Sequence, residues 1–260
     1  MREPAWRIGA YMIEHVRVNR VRFDAHRQVY IKTRRALPPG LIHAGNLFMK
    51  LSDSGCQMFP SARTWREHEL AMFRALHGHE HAGPHGADGI WTACLPGVTA
   101  RELLESQHID LLDALAKAAS ALSGMHARGL THGDAHLGNV VCGEEAAWFD
   151  FDARHDPRRP MSWRQADDLF VMLLELAGYA PSDQMWGESA DAIIRGYDQV
   201  PLPSADLIAR LELKPTGFAK LMHAILTHRA PGERTLARQR SLAAKLSSSV
   251  DKDQSLTVSV

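Results

Sequence analysis

The period of apolar positions changes along the chain. Val16 to Phe23 and Gln28 to Lys32 are rich in β-branched and aromatic residues and flank the polar stretch Asp24-Ala25-His26-Arg27, which predicts two strands and a turn. Pro38-Pro39-Gly40 ends that pattern. Leu41, Ala44, Phe48 and Leu51 then recur at helical spacing, with a strand over Asn46 to Leu51 as the alternative. Between Ala62 and Leu76, the residues Trp65, Met72, Phe73 and Leu76 form an apolar stripe and Gly78 supplies a stop, predicting a helix. Ile90 to Leu95, bounded by Gly89 and Pro96-Gly97, reads as a buried strand. Beyond it the period is helical. Leu112, Leu115, Ala119, Leu122 and His126 step by three and four toward Gly129, and Ala166, Phe170, Leu173 and Ala177 mark a further helix. Ser247 to Val260 is polar with scattered valines and no period, so a disordered tail is expected there.

Strands, helix, strand, then helices around a central loop predict an α+β protein in two lobes. The expected division is a small, mainly β N-terminal lobe (1–96), a larger, mainly helical C-terminal lobe (97–246) and the tail (247–260), with the boundary at Pro96-Gly97. Composition narrows the function classes. With 45% apolar residues in 260, the chain can bury a real core. Thirty basic residues balance thirty acidic ones, so no overall field favours nucleic acid, and none is expected as a partner. Cys56, Cys94 and Cys142 match neither a disulfide framework nor a paired metal-ligand pattern, and a reducing cytoplasm is the expectation. Met1 to Gly9 reads as no signal peptide. The most apolar run, Leu169 to Ala177, is interrupted by Glu175 and falls far short of the roughly 20 residues a membrane span needs.

The strongest chemical signal is His132-Gly133-Asp134-Ala135-His136-Leu137-Gly138-Asn139, followed eleven residues after Asn139 by Asp150-Phe151-Asp152. Phosphoryl transfer needs an acceptor for a hydroxyl proton and oxygen ligands for a magnesium ion that bridges phosphates. Asp134 supplies the first, and Asn139 and Asp150 supply the second. The bland alternative is that these residues cap turns, as Asp and Asn often do. His77, His79, His81 and His85 read as a solvated loop, with a transition-metal site as the alternative.

This segment resembles the protein-kinase-like superfamily, whose catalytic loop runs His-x-Asp-x-x-x-x-Asn and whose metal aspartate follows a hairpin. The resemblance covers residues 16 to 178. The form His-Gly-Asp with His136 two residues on is similar to aminoglycoside and choline phosphotransferases and to bacterial lipopolysaccharide core (heptose/Kdo) kinases; ordinary protein kinases carry arginine at the position of Gly133 and lysine at that of His136. The resemblance implies ATP and Mg2+ as cofactors and Asp134 as catalytic base. It also implies that His132 packs beneath the loop and that His136 approaches the transferred phosphate. Asp152 stands as either a second metal ligand or a hairpin residue. Val29-Tyr30-Ile31-Lys32 resembles the strand whose lysine clamps the phosphates and pairs with a helix glutamate, here Glu69, with Glu67 second. Ala93, Cys94 and Leu95 fall where the family reads adenine.

Three features depart from the protein-kinase pattern. Asp24 to Gln28 holds no glycine, Asp-Phe-Asp stands in place of Asp-Phe-Gly, and only fifteen residues separate Asp152 from Asp167, so no phosphorylated activation loop is expected. The resemblance therefore implies transfer of the γ-phosphate to a hydroxyl-bearing acceptor, foremost a lipopolysaccharide core sugar. Peripheral contact with the inner membrane is left open, with Arg238 to Lys245 as the segment concerned. The rivals are a RIO-like protein kinase, a small-alcohol kinase, and a non-catalytic nucleotide-binding pseudokinase.

One prediction tests the strand assignment. Lys50 precedes Glu69 by nineteen residues but falls off the face shared by Leu41, Ala44, Phe48 and Leu51, so Lys32 is the expected phosphate clamp. Lys32→Ala should lower kcat/KM for ATP by an amount worth on the order of several kcal/mol, and Lys50→Ala should leave it nearly unchanged. The reverse ranking in steady-state kinetics moves the lysine-bearing strand to Asn46 to Leu51.

Overall fold

A computed structural model describes residues 19–35, 42–43, 46–47, 55–213 and 232–257. The chain is mixed α and β, with small antiparallel sheets and a larger share of helix. β1 (Asn19–Asp24) and β2 (Val29–Arg34) form the expected hairpin. Its turn is closed by Asp24 Oδ1, which accepts the N–H groups of His26 and Arg27 at 3.1 and 3.3 Å. After β3 (Cys56–Met58) comes α1 (Ala62–His77), where the Ser61 hydroxyl accepts the Thr64 N–H at 3.1 Å and so satisfies one open donor of the first turn. β4 (Ala82–His85) and β5 (Gly89–Ala93) complete a sheet of order β1-β2-β5-β4.

Register determines which way Lys32 points. It lies opposite Val21 and Ile90, and directly paired residues of antiparallel strands share a face. Ile90 is fully buried against Trp65 of α1 and Phe59. Lys32 therefore projects under the helix rather than into solvent. The other end of α1 reaches the main core, where Met72 and Phe73 pack with Ala82 and the C-terminal helices.

Past β5 the chain turns at Pro96-Gly97. Gly97 has φ +123°, and a Cβ there would sit 2.5 Å from the Cys142 carbonyl oxygen, so only glycine fits this close approach. β6 (Val98–Thr99) leads into the short helix α2 (Ala100–Glu105), held by a capping box between Thr99 and Glu102. Then follow α3 (Leu111–Ala127), β7 (Val140–Cys142), β8 (Ala146–Trp148), β9 (Ala153–His155), α4 (Met161–Tyr179), α5 (Asp183–Gly196), α6 (Ser204–Glu212) and α7 (Glu233–Thr257). β6, β7 and β8 form a small sheet, and β9 pairs back onto β3. Leu115, Ala118 and Leu122 of α3 meet Leu169, Met172, Leu173 and Leu176 of α4 in the same core, all without solvent exposure.

The strands predicted over Val16 to Phe23 and Ile90 to Leu95 are observed as Asn19–Asp24 and Gly89–Ala93, and residues 16–18 lie outside the described residues. The helix predicted from Leu41 to Leu51, and Lys50 with it, falls almost wholly outside them. The expected disordered tail is corrected as far as Thr257, because α7 runs through Ser247 without a break. The hydroxyls of Ser247, Ser248 and Ser249 donate to carbonyl oxygens one turn back, so the polar composition that suggested disorder is accommodated within the helix. Among the described residues, no helix is long and apolar enough to cross a membrane.

Phe73 is 2% exposed and ties α1, the carrier of Glu69, to the helical core. Phe73→Ala should cost about 3–5 kcal/mol in a urea titration monitored by circular dichroism, since the void it leaves sits between two elements that cannot both collapse into it.

Candidate active site

Elements distant in sequence bring their polar groups to one point. Lys32 is 8% exposed, and its Nζ donates to Glu69 Oε1 at 3.1 Å, to Asp152 Oδ1 at 2.7 Å and to Asp150 Oδ1. Glu69 rather than Glu67 is thus the helix partner, while Glu67 lies on the solvent side and pairs with Arg63 one turn earlier. Burial by itself would lower the Lys32 ammonium, but Asp150, Asp152 and Glu69 outweigh it and hold the pKa well above its ordinary value. The Glu69 carboxyl is pushed up by burial and by the two aspartates, against the pull of Lys32. One ammonium facing three carboxylates leaves a formal excess of two negative charges when all are ionised.

Those three carboxylates converge to within 4.8 Å of one another. They offer oxygen ligands of the kind a hard divalent cation takes. Asp152, open between two roles from the sequence, belongs to this group: its Oδ1 accepts the Trp65 indole N–H at 2.7 Å as well as Lys32, and its Oδ2 accepts the Asn19 amide at 2.6 Å. Asp150 sits at φ +67°, a left-handed conformation that aspartate tolerates better than most residues and that is over-represented where function demands strain.

The catalytic-loop candidates line the same region. Asn139 is buried, its Nδ2 donates to the Asp134 carbonyl at 3.0 Å, and its own carbonyl accepts the Phe149 N–H at 2.9 Å, which docks the loop beside the residue preceding Asp150. Its Oδ1 is then the atom available to a cation. The Asp134 side chain is 37% exposed, yet the surrounding protein and the nearby Asp150, Asp152 and Asp168 push its carboxyl up to about 7, with Arg101 opposing. His132 is fully buried against Trp148 and Phe151 and donates from Nε2 to the Phe149 carbonyl at 3.0 Å. Burial pushes it down to about 4, so it is neutral and structural. His136 points Nε2 at Asp134 Oδ2 across 3.8 Å.

Three supporting residues escaped the sequence reading. Asp168 of α4 is 1% exposed and accepts the backbone N–H groups of His132 and Gly133 at 2.8 and 2.9 Å and the His126 ring at 3.0 Å. Burial would raise it, but His155, His126 and His132 outweigh that and pull it down to about 2. Glu175, also buried, accepts the Leu137 N–H and pairs with Arg101 of α2. Asp168 and Glu175 stand seven residues apart on the buried face of α4. Two acids on an apolar helical stripe were the signal that could have exposed them.

Gly133 has φ +83°, and a Cβ there would approach Arg154 Cα to 2.8 Å and its nitrogen to 3.0 Å. The close approach of the β9 backbone thus explains why this position is glycine. Of the residues expected near adenine, Ala93 ends β5 opposite Val29, the Cys94 N–H is engaged by the Gln28 carbonyl at 3.1 Å, and Leu95 packs on the core. Cys94 therefore offers no free N–H to a base in this geometry. His77, His79, His81 and His85 spread over the end of α1, a turn and β4, and among the described residues they form no group that could hold a metal. A second cluster, Cys56, His155 and Asp167, is buried beneath β9. Arg210 pairs with its aspartate, and burial raises the thiol well above its ordinary value, so the cluster is a hydrogen-bonded support.

Because the folded protein holds a proton on Asp134 more tightly than the unfolded chain does, its contribution to stability is present at low pH and is lost as pH rises through about 7. Asp134→Asn should therefore raise Tm relative to the unaltered protein at pH 8, without metal, and raise it less at pH 5. Scanning calorimetry at the two pH values reads the difference. No protein-family model matches the chain, and no curated protein matches it.

Proposed function

We propose that the protein is an ATP- and Mg2+-dependent phosphotransferase of the two-lobed, protein-kinase-like type, acting on a hydroxyl acceptor. The observation that carries this reading is the Lys32 ammonium held between Glu69 on one side and Asp150 and Asp152 on the other. A surface ion pair needs no such convergence, and a structural one gains nothing from surplus buried negative charge. A site that receives a divalent cation and polyphosphate requires both the cation-binding carboxylates and the positive group beside them.

In this reading, Asp150 and the Oδ1 of Asn139 would hold Mg2+, which supplies charge neutralisation on the phosphates. Lys32 exchanges part of its carboxylate contacts for phosphate oxygens, while Glu69 keeps the amine from swinging out of the site. Asp134 accepts the proton of the attacking hydroxyl as the new oxygen–phosphorus bond forms and the bond to the bridging oxygen of the nucleotide breaks. A carboxyl held up to about 7 suits that role, because a base works best when its pKa lies near the operating pH. The rigid link from Asp152 to Trp65 and Asn19, together with the fifteen residues before Asp167, supports a site without a regulated activation loop. Among acceptors, a lipopolysaccharide core sugar is the leading candidate, on the strength of the His-Gly-Asp segment with His136.

The test is transfer from labelled ATP to cell-envelope sugars, small alcohols and proteins, with Mg2+ present and absent. Asp134→Ala should reduce turnover by roughly 10²- to 10⁴-fold with nucleotide affinity nearly unchanged. Asp150→Asn should weaken Mg2+–ATP binding far more than adenosine binding in calorimetry. ATP binding without turnover on any acceptor would instead support the pseudokinase reading.

A further inference from the structure

The ring of His136 has its two nitrogens in different surroundings. Nδ1 lies 3.1 Å from the Gly138 N–H, which donates to it, and 3.2 Å from Arg101 Nη2. Both neighbours are donors, and an arginine guanidinium has no lone pair to accept with. Nδ1 must therefore be the acceptor nitrogen, which leaves the ring proton on Nε2. Glu175 Oε2 lies 3.9 Å from Nδ1, beyond hydrogen-bond reach, and already takes the Leu137 N–H.

Arg101 is itself fixed. Glu175 grips its Nε and Nη2, and its guanidinium lies 5.8 Å from the centre of the Tyr179 ring. It lies in the first turn of α2, which the Thr99–Glu102 capping box opens, so the backbone carrying it is anchored as well. The chain of contacts runs from buried Glu175 through Arg101 to Nδ1, and on the far side of the ring Nε2 faces Asp134 Oδ2 at 3.8 Å.

We propose that Arg101, held by Glu175, is a positioning residue that sets His136 as the Nε2–H tautomer and so aims an N–H donor at the Asp134 pocket. The consequence for chemistry rests on the phosphotransferase reading. An Nε2–H beside the base can donate to an oxygen of the transferring phosphoryl group, the task a cationic lysine performs in protein kinases, while adding no full charge next to Asp134. The tautomer itself does not rest on that reading.

The test uses the full chain labelled with 15N-histidine, and long-range proton–nitrogen correlation spectra with the His136 signals identified by their loss in His136→Gln. The unaltered protein should show a non-protonated Nδ1 and a protonated Nε2 at His136. Arg101→Met should convert this to a mixture of tautomers, and Arg101→Lys, which restores a donor, should recover part of the original signal. A protonated Nδ1 in the unaltered protein, or a spectrum unchanged in folded Arg101→Met, overturns the proposal. Neither outcome depends on turnover. Once an acceptor is in hand, Arg101→Met should lower kcat by roughly 10- to 100-fold with KM for ATP nearly constant, the loss typical of removing an orienting partner behind a reactive group. His136→Gln, which keeps an N–H donor near the Nε2 position, should retain more kcat than His136→Ala. Equal losses in those two variants would also count against it.

Discussion

The contact on which the site depends is the one between Lys32 and its three carboxylates. Its members come from β2, from α1 and from the segment between β8 and β9, so it is the point at which the first sheet, its helix and the C-terminal elements are held in common register. A buried charge group of this kind is a poor source of net stability, because desolvation offsets much of the attraction, but removing one partner leaves the others uncompensated at a cost of about 3–5 kcal/mol. The arrangement therefore specifies a geometry more than it stabilises a fold. Its surplus of negative charge is the feature on which the proposed cation-dependent function rests.

Beneath that contact, α4 acts as the floor. Asp168 accepts two successive backbone N–H groups of the His132–Asn139 loop, and Glu175 accepts a third at Leu137, so the loop is fixed through its main chain. The buried histidines complete the support: the Nε2 atoms of His126 and His155 lie 3.0 and 3.7 Å from the Asp168 carboxylate, and Tyr197 and Thr131 engage their other ring nitrogens. Every polar group in this layer that touches the loop is paired, which a low-dielectric interior demands.

Two left-handed backbone positions lie at the same place. Gly133 and Asp150 both take left-handed conformations, one because β9 passes too close for a side chain and the other because the chain must reverse to present its carboxylate to Lys32. Strain of this sort persists only where the surroundings over-determine it. Here Asp168 on one side and Lys32 on the other do so.

Much of the architecture was legible along the chain, because hydrophobic period and Gly/Pro punctuation are local signals. The hairpin around Asp24, α1 with its stop at Gly78, α3, and the loop from His132 to Asn139 were all read from residues within a few positions of one another. Lys32 and Glu69 could be nominated from β-strand composition and from one helical face. What the chain could not disclose was every relation between residues far apart in sequence. That Asp152 is bound by Trp65 and Asn19, that Glu175 reaches Arg101, and that Arg101 reaches His136 depend on how helices and strands stack, which no local period encodes. The helical continuation past Ser247 was hidden for a related reason, since its serines fold their hydroxyls onto the preceding turn and so belie the composition that suggested disorder. The sequence by itself determined which chemical groups are present and which elements carry them. The tertiary structure decided which of those groups meet, because burial and charge pairing act through space and not along the chain.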